Sequence, residues 1–202
     1  MRQETIIKTY LKFNELNDEQ KEKVIENYRD INVDYEWWQF IKEDFHAQLD
    51  ILGFYDIESY FSGFWSQGDG ASFTGKFNYP ENEKEVETIL KKLIDGYNYK
   101  DDKLDYAKNI LRNGMIEKKK DIDDEYYPCE LEIYSRSNYC HSNTMQLLNN
   151  DNDDFLDNCR WLADEYYKTL ENEYYYLISD KAIKESLIAN DYEFDIDTLK
   201  IG

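Results

Sequence analysis

Two aromatic-rich runs, residues 56–65 and 71–79, are joined by Ser66-Gln67-Gly68-Asp69-Gly70. Aromatic and β-branched residues suit a pleated, half-buried surface, and a short link with two glycines around an aspartate reverses the chain. The spacing predicts a β-hairpin in which the glycines supply left-handed backbone and Asp69 a local acceptor. Such a pair buries one face only if something covers it, so the chain is constrained to a sheet packed by helices. A phosphate-cradling reading of the same glycines is disfavoured, because no Lys-Ser/Thr ending follows and dinucleotide spacing is absent.

The flanking sequence supplies the covering helices. Residues 4–13 alternate as an opening strand. Asn17, three residues before Gln20, has the spacing of a capping box and opens a helix to about Asp30. A second helix begins near Asp34, with Trp38, Ile41, Phe45, Leu49 and Leu52 on one face and Gly53 as its stop. Residues 82–96 and 101–113 carry helical stripes at Val86, Ile89, Leu90 and Leu93, and at Leu104, Ala107 and Leu111. Gly96 and Gly114 read as their stops.

Residues 115–127, with Lys118-Lys119-Lys120 ahead of a run of acids, read as a charged loop and the least ordered stretch by composition. A second antiparallel pair is expected at 129–136 and 143–148. A long helix then carries Phe155, Cys159, Leu162, Tyr166 and Leu170 toward Leu177. Ser179 caps a final helix through Ile183 and Leu187, and residues 192–194 add a closing strand. The order predicts one α+β domain over residues 1–202, with antiparallel β-hairpins forming one sheet packed by several helices.

Composition limits what such a domain does. Forty-four carboxylates against 24 lysines and arginines give a formal charge of −20. High charge alone points toward disorder, but 19 tyrosines, 10 phenylalanines and four tryptophans supply a core. An anionic exterior repels a phosphate backbone, so direct nucleic-acid binding is not expected, whereas a basic protein groove attracts it. Residues 151–202 alone hold 14 acidic and five basic side chains. No apolar run is long enough for a membrane span, and the N-terminus has no apolar signal core. Three scattered cysteines, Cys129, Cys140 and Cys159, fit a reducing cytosol.

Chemistry-bearing constellations are sparse. Only His46 and His141 could serve a histidine-dependent mechanism. Cys140 and His141 are neighbours that would point to opposite faces of a strand, and with Cys129 they fit no zinc spacing. Residues 149–160 lack the central glycine of a calcium loop, so Asp151, Asp153 and Asp154 read as a helix start favoured by its dipole. No catalytic residue, metal or cofactor is predicted, and the chain reads as a binding protein, not an enzyme. The runs Tyr35-Glu36-Trp37-Trp38, Tyr126-Tyr127 and Tyr174-Tyr175-Tyr176 hold more rings than one buried face accepts, so some face outward, as at protein interfaces. The candidate partner-binding residues are Trp37, Trp65, Gln67, Asp69, Asp151, Asp153, Asp154 and Tyr175.

The run Phe61-Ser62-Gly63-Phe64-Trp65-Ser66-Gln67-Gly68-Asp69-Gly70-Ala71-Ser72-Phe73-Thr74-Gly75 resembles the signature of a family of small acidic proteins of bacteriophages and prophages. Residues 16–23, 34–38 and 190–194 resemble the same family's first helix, second helix and ending. The resemblance implies a phage origin and the host cytoplasm, and some members are labelled antitoxin-like. It carries no catalytic residue. With the charge, it leads to the expectation of a phage-encoded inhibitor of a bacterial defence system, of anti-CRISPR or anti-restriction type. It would act by protein binding, its carboxylates mimicking nucleic acid in the groove of a basic, nucleic-acid-binding host effector. Two alternatives stand beside it. One is a sponge for a small molecule or nucleotide, with a pocket at the 66–70 turn and Lys76, Arg136 or Arg160 as cations. The other is an antitoxin neutralising a basic toxin.

Overall fold

The computed structural model describes residues 8–120, 129–134 and 153–202. The chain clusters into two compact units, Met1–Trp37 with Asn172–Gly202, and Trp38–Glu171. The fold is α+β, as the sequence order predicts. Its strands fall into two antiparallel sheets, however, where one was expected.

The first unit brings the chain's two ends together. Strand β1 (Tyr10–Lys12) pairs with β5 (Glu193–Asp195), placing Leu11 opposite Phe194. The opening and closing strands therefore satisfy each other and leave the hairpin sheet alone. A 3-10 turn at Phe13–Glu15 leads into α1 (Asp18–Asn27). The Asn17–Gln20 capping box forms in both directions, at 2.9 and 3.1 Å. Helix α6 (Asp180–Ala189) starts where Ser179 Oγ accepts the Ala182 amide. Phe13, Leu16, Val24, Ile183, Leu187 and Phe194 form the core.

Helix α1 ends one turn short of Asp30. Asn32 is drawn inward instead, donating to Leu177 O at 3.0 Å and accepting from Ser186 Oγ at 2.6 Å. Satisfying a buried amide in this way outweighs continuing a solvated helix.

The second unit is the hairpin and its cover. Helix α2 runs over Gln39–Leu52, not from Asp34; residues 34–38 are non-helical, with the Trp37 amide donating to Tyr35 O at 2.8 Å. Ile41, Phe45, Leu49 and Leu52 are its buried face, and Gly53 ends it at φ 103°, where a Cβ would meet Asn78 O at 2.8 Å. Strands β2 (Phe54–Phe61) and β3 (Ala71–Phe77) form the hairpin, and β4 (Cys129–Tyr134) pairs with β3, giving the order β2-β3-β4. The partner strand expected at 143–148 lies outside the described residues.

A bulge between Tyr55 and Glu58 sets two residues of β2, Asp56 and Ile57, against Gly75. One extra residue reverses which side chains face inward. Phe54 is buried before it and Ser59 after it, while β3 buries Ala71, Phe73, Gly75 and Phe77 without interruption.

Helices α3 (Glu83–Tyr97), α4 (Asp101–Lys120) and α5 (Asp153–Leu177) complete the cover, the last turns of α5 belonging to the first unit. Neither expected glycine stop acts as one. Helix α3 passes through Gly96 and ends at Asn98, whose backbone is left-handed (φ 52°). Helix α4 passes through Gly114 and extends over 115–120, which was expected to be loop; residues 121–127 lie outside the described residues. A Cβ at Gly114 would lie 2.6 Å from the Phe77 ring and 3.1 Å from Tyr79. Close packing against the sheet, not termination, is what this glycine provides.

Candidate functional site

The hairpin tip is built from its own side chains. Ser62 and Gly70 close it, with the Ser62 amide donating to Gly70 O at 3.0 Å and the Gly70 amide to Ser62 Oγ at 2.9 Å. Inside that clasp Asp69 Oδ2 accepts the Trp65 and Ser66 amides at 2.8 and 2.7 Å. These donors, Ser66 first, hold the Asp69 carboxyl below the usual carboxylate range. The expected acceptor role of Asp69 is therefore present.

The expected left-handed glycines are not. Among the described glycines only Gly53 has positive φ, because the Asp69 side chain closes the turn without it. Gly63 is the glycine the tip needs, since a Cβ there would lie 2.9 Å from the Trp65 ring. Tyr167 on α5 donates to Gly63 O at 3.0 Å, and the buried Phe64 ring packs against Tyr167 at 5.5 Å. The backbone is anchored on both sides of Trp65, yet the indole itself is 71% exposed.

A run of rings leads away from that indole. Trp65 contacts Phe64 (6.2 Å), Phe64 contacts Phe61 (5.9 Å), and Phe61 contacts Trp38 (5.8 Å) at the start of α2. Two residues on, Phe40 is 79% exposed, and Tyr60 on β2 is also exposed. An unbroken series of aromatic contacts joining a helix N-terminus to an exposed tryptophan has the composition of an interface core.

The other predicted residues are distributed differently. Gln67 is exposed in the tip beside Trp65 and Asp69. Trp37 and Tyr175 belong to the first unit, where Trp37 packs on Tyr174 (5.8 Å) and Tyr174 on the exposed Tyr175 (5.7 Å). Asp153 is the first residue of α5 and Asp154, next to it, is exposed, which matches the expected helix start. Asp151 lies outside the described residues. The predicted set thus resolves into a tip trio, a pair of rings in the other unit and a helix start.

A second place was missed by sequence reasoning. Helices α2, α4 and α5 border a small cleft of about 40 Å³, solvent-open at its mouth, lined by Asp44, Gln48, Tyr99, Lys103, Trp161 and Glu165 among others. Gln48 Oε1 accepts from Tyr99 Oη at 3.0 Å and from Lys103 Nζ at 3.1 Å, while Gln48 Nε2 donates to Asp44 Oδ2 at 2.7 Å. Lys103 Nζ lies 4.3 Å from the centre of the Tyr99 ring. Burial pushes the Lys103 amine below its ordinary value, against the opposing pull of Glu165 and Asp44, and pushes the Tyr99 hydroxyl up. The legible signal was Lys103 itself, a cation standing one turn before Ala107 in the apolar stripe of α4.

Behind the cleft, Ser59 Oγ lies 2.8 Å from His46 Nε2 and 3.4 Å from the Tyr166 hydroxyl. Ser59 is 4% exposed, so this pair is a satisfied core contact without access for a substrate. Burial, then Lys42, lowers the His46 pKa. The described residues contain no cluster of three or more His, Cys, Asp or Glu able to hold a metal, and no helix long and apolar enough to cross a membrane.

Comparison with known proteins gives no matching curated protein and no matching solved structure. A family model does match, under the description Domain of unknown function (DUF8835), over residues 37–180. That span holds the hairpin, the aromatic run and the cleft, while residues 16–23 and 190–194 fall outside it. Covering well over half of the 202 residues, the match shows that the chain belongs to the DUF8835 family.

Proposed function

We propose that this protein is a phage-encoded, non-enzymatic inhibitor of a bacterial defence system, acting by binding a basic host protein. The observation that carries the reading is Trp65, exposed on a tip whose backbone is tied at Ser62, Gly63, Asp69 and Gly70. A ring held this way brings contact area at small entropic cost, which is what interface anchors do. The charge of −20 selects the partner's sign, speeds encounter and makes a groove that normally holds nucleic acid the complementary surface. The phage origin rests on the resemblance of residues 61–75.

The test is a plating assay. Expressed in a host carrying a nucleic-acid-cleaving defence system that restricts a phage, the protein should restore plaque formation. Trp65→Ala should abolish the rescue without lowering the melting temperature. Rescue that survives Trp65→Ala together with Phe40→Ala would overturn the tip as the binding surface. Failure to rescue against any such system would overturn the function.

The cleft supports the small-molecule alternative only in part. It stands apart from the 66–70 turn where a pocket was expected. Asp44 and Glu165 on its wall oppose a phosphate, so a nucleotide is the wrong ligand for it.

A further inference from the structure

The exposed indole at the hairpin tip has a carboxylate for a neighbour. One point, where a Cβ would stand on Gly63, is 2.9 Å from Trp65 Cε3, 3.0 Å from Trp65 Cζ3 and 3.5 Å from Asp69 Oδ2. The Phe64 ring packs on the indole T-shaped, at 6.2 Å and 71°. With these contacts made, Trp65 is still 71% exposed, which a ring covered on both faces could not be. Asp69 Oδ2 accepts two amides, and a carboxylate has sites for about four donors, so acceptor capacity remains beside the ring. An aromatic face next to an anionic acceptor attracts a cation through the ring quadrupole and the charge together. The hairpin holds one such arrangement that the chain fills itself. Lys76 Nζ lies 6.0 Å from the centre of the Tyr55 ring and 2.9 Å from Asp56 Oδ2.

We propose that the tip takes an arginine side chain of the basic partner, its guanidinium stacked on the Trp65 indole and an N–H turned to Asp69. This deepens the binding role proposed above and rests on it. Arginine suits the tip better than lysine for two reasons. A flat guanidinium lies parallel to an indole and keeps its in-plane N–H groups for acceptors at the rim, and it gives up less hydration than an ammonium when a ring covers it. Tryptophan is the strongest aromatic partner for a cation, and the tied backbone presents it already ordered. The charge of −20 draws in basic segments of either kind. The indole then selects those that carry arginine.

Calorimetric titration of the full chain with octa-arginine and with octa-lysine, at about 0.15 M salt, tests it. Octa-arginine should bind more tightly, and about two- to fivefold of its advantage should come from the indole, the factor a cation–π contact supplies at an exposed site. Trp65→Leu, which keeps an apolar side chain but has no π face, should lose that factor and retain its melting temperature. Trp65→Phe should keep part of it. Equal affinity of the two peptides for the parent would overturn the arginine preference, and an advantage undiminished in Trp65→Leu would overturn the indole as its source. Either result leaves a basic partner held by charge alone. Binding of neither peptide would overturn both this assignment and the basic partner.

Discussion

Asp69 converts a chain reversal into a platform, because one carboxylate oxygen holds two successive amides that would otherwise face solvent. Asp69→Ala frees both, and amide exchange at Trp65 and Ser66 should accelerate while the global melting temperature stays put. The acid sensitivity follows from the sign of the shift. A carboxyl depressed in the folded state contributes its stabilisation at neutral pH and loses it as pH falls through the depressed value. The tip should therefore stay protected until the pH drops below about 4, the ordinary aspartate value. His46 acts higher on the scale. Its folded pKa is lowered by burial, so the unfolded chain takes up the proton first, and stability falls as pH drops below about 6.5. His46→Gln keeps a polar partner for Ser59 without titrating near neutrality. Its melting temperature should decline less than that of the parent between about pH 7 and 5.5, within the range where histidine titrates.

At the scale of elements, two glycines inside helices behave oppositely. Gly96 has open space where a Cβ would go, so Gly96→Ala should stabilise by about 0.5–1 kcal/mol through helix propensity. Gly114→Ala gains a similar propensity term but drives a methyl into the buried Phe77 ring, which Phe54 and Phe155 hold in place. Overpacking costs about 1–3 kcal/mol, so a net loss of about 1–2 kcal/mol is expected from urea titration of this variant. The pair explains what could be read in the sequence. Capping boxes and apolar stripes are local, so α1, α6 and the buried face of α2 were legible from Asn17, Ser179 and the Ile41–Leu52 spacing. A helical glycine looks like a stop until the ring packed against it is known, and that ring arrives from β3. The same holds for sites. Asp69 was legible in the 66–70 turn, whereas Trp65 was read as the end of a strand that in fact stops at Phe61. The Lys103 cleft is assembled from residues more than a hundred positions apart, and no local pattern names Gln48 or Glu165.

For the molecule as a whole, charge sets two salt dependences of opposite sign. Local pairing neutralises part of the surface, as in Lys12–Asp191 and Lys23–Glu19, but a residual charge of −20 remains and repels itself in the compact state. Screening shortens the reach of that repulsion from about 30 Å at about 0.01 M salt to about 8 Å at about 0.15 M. The melting temperature should rise over this interval. The proposed binding to a basic partner would draw on the same field with the other sign, so its affinity should fall across the same interval, chiefly through slower association. Calorimetric melting and binding titrations at the two salt concentrations read both effects on one preparation. A melting temperature that rises while affinity holds constant would mean that the carboxylates serve dispersion alone. The contact would then rest on the rings around Trp65, and truncating that indole would be the only lever on affinity.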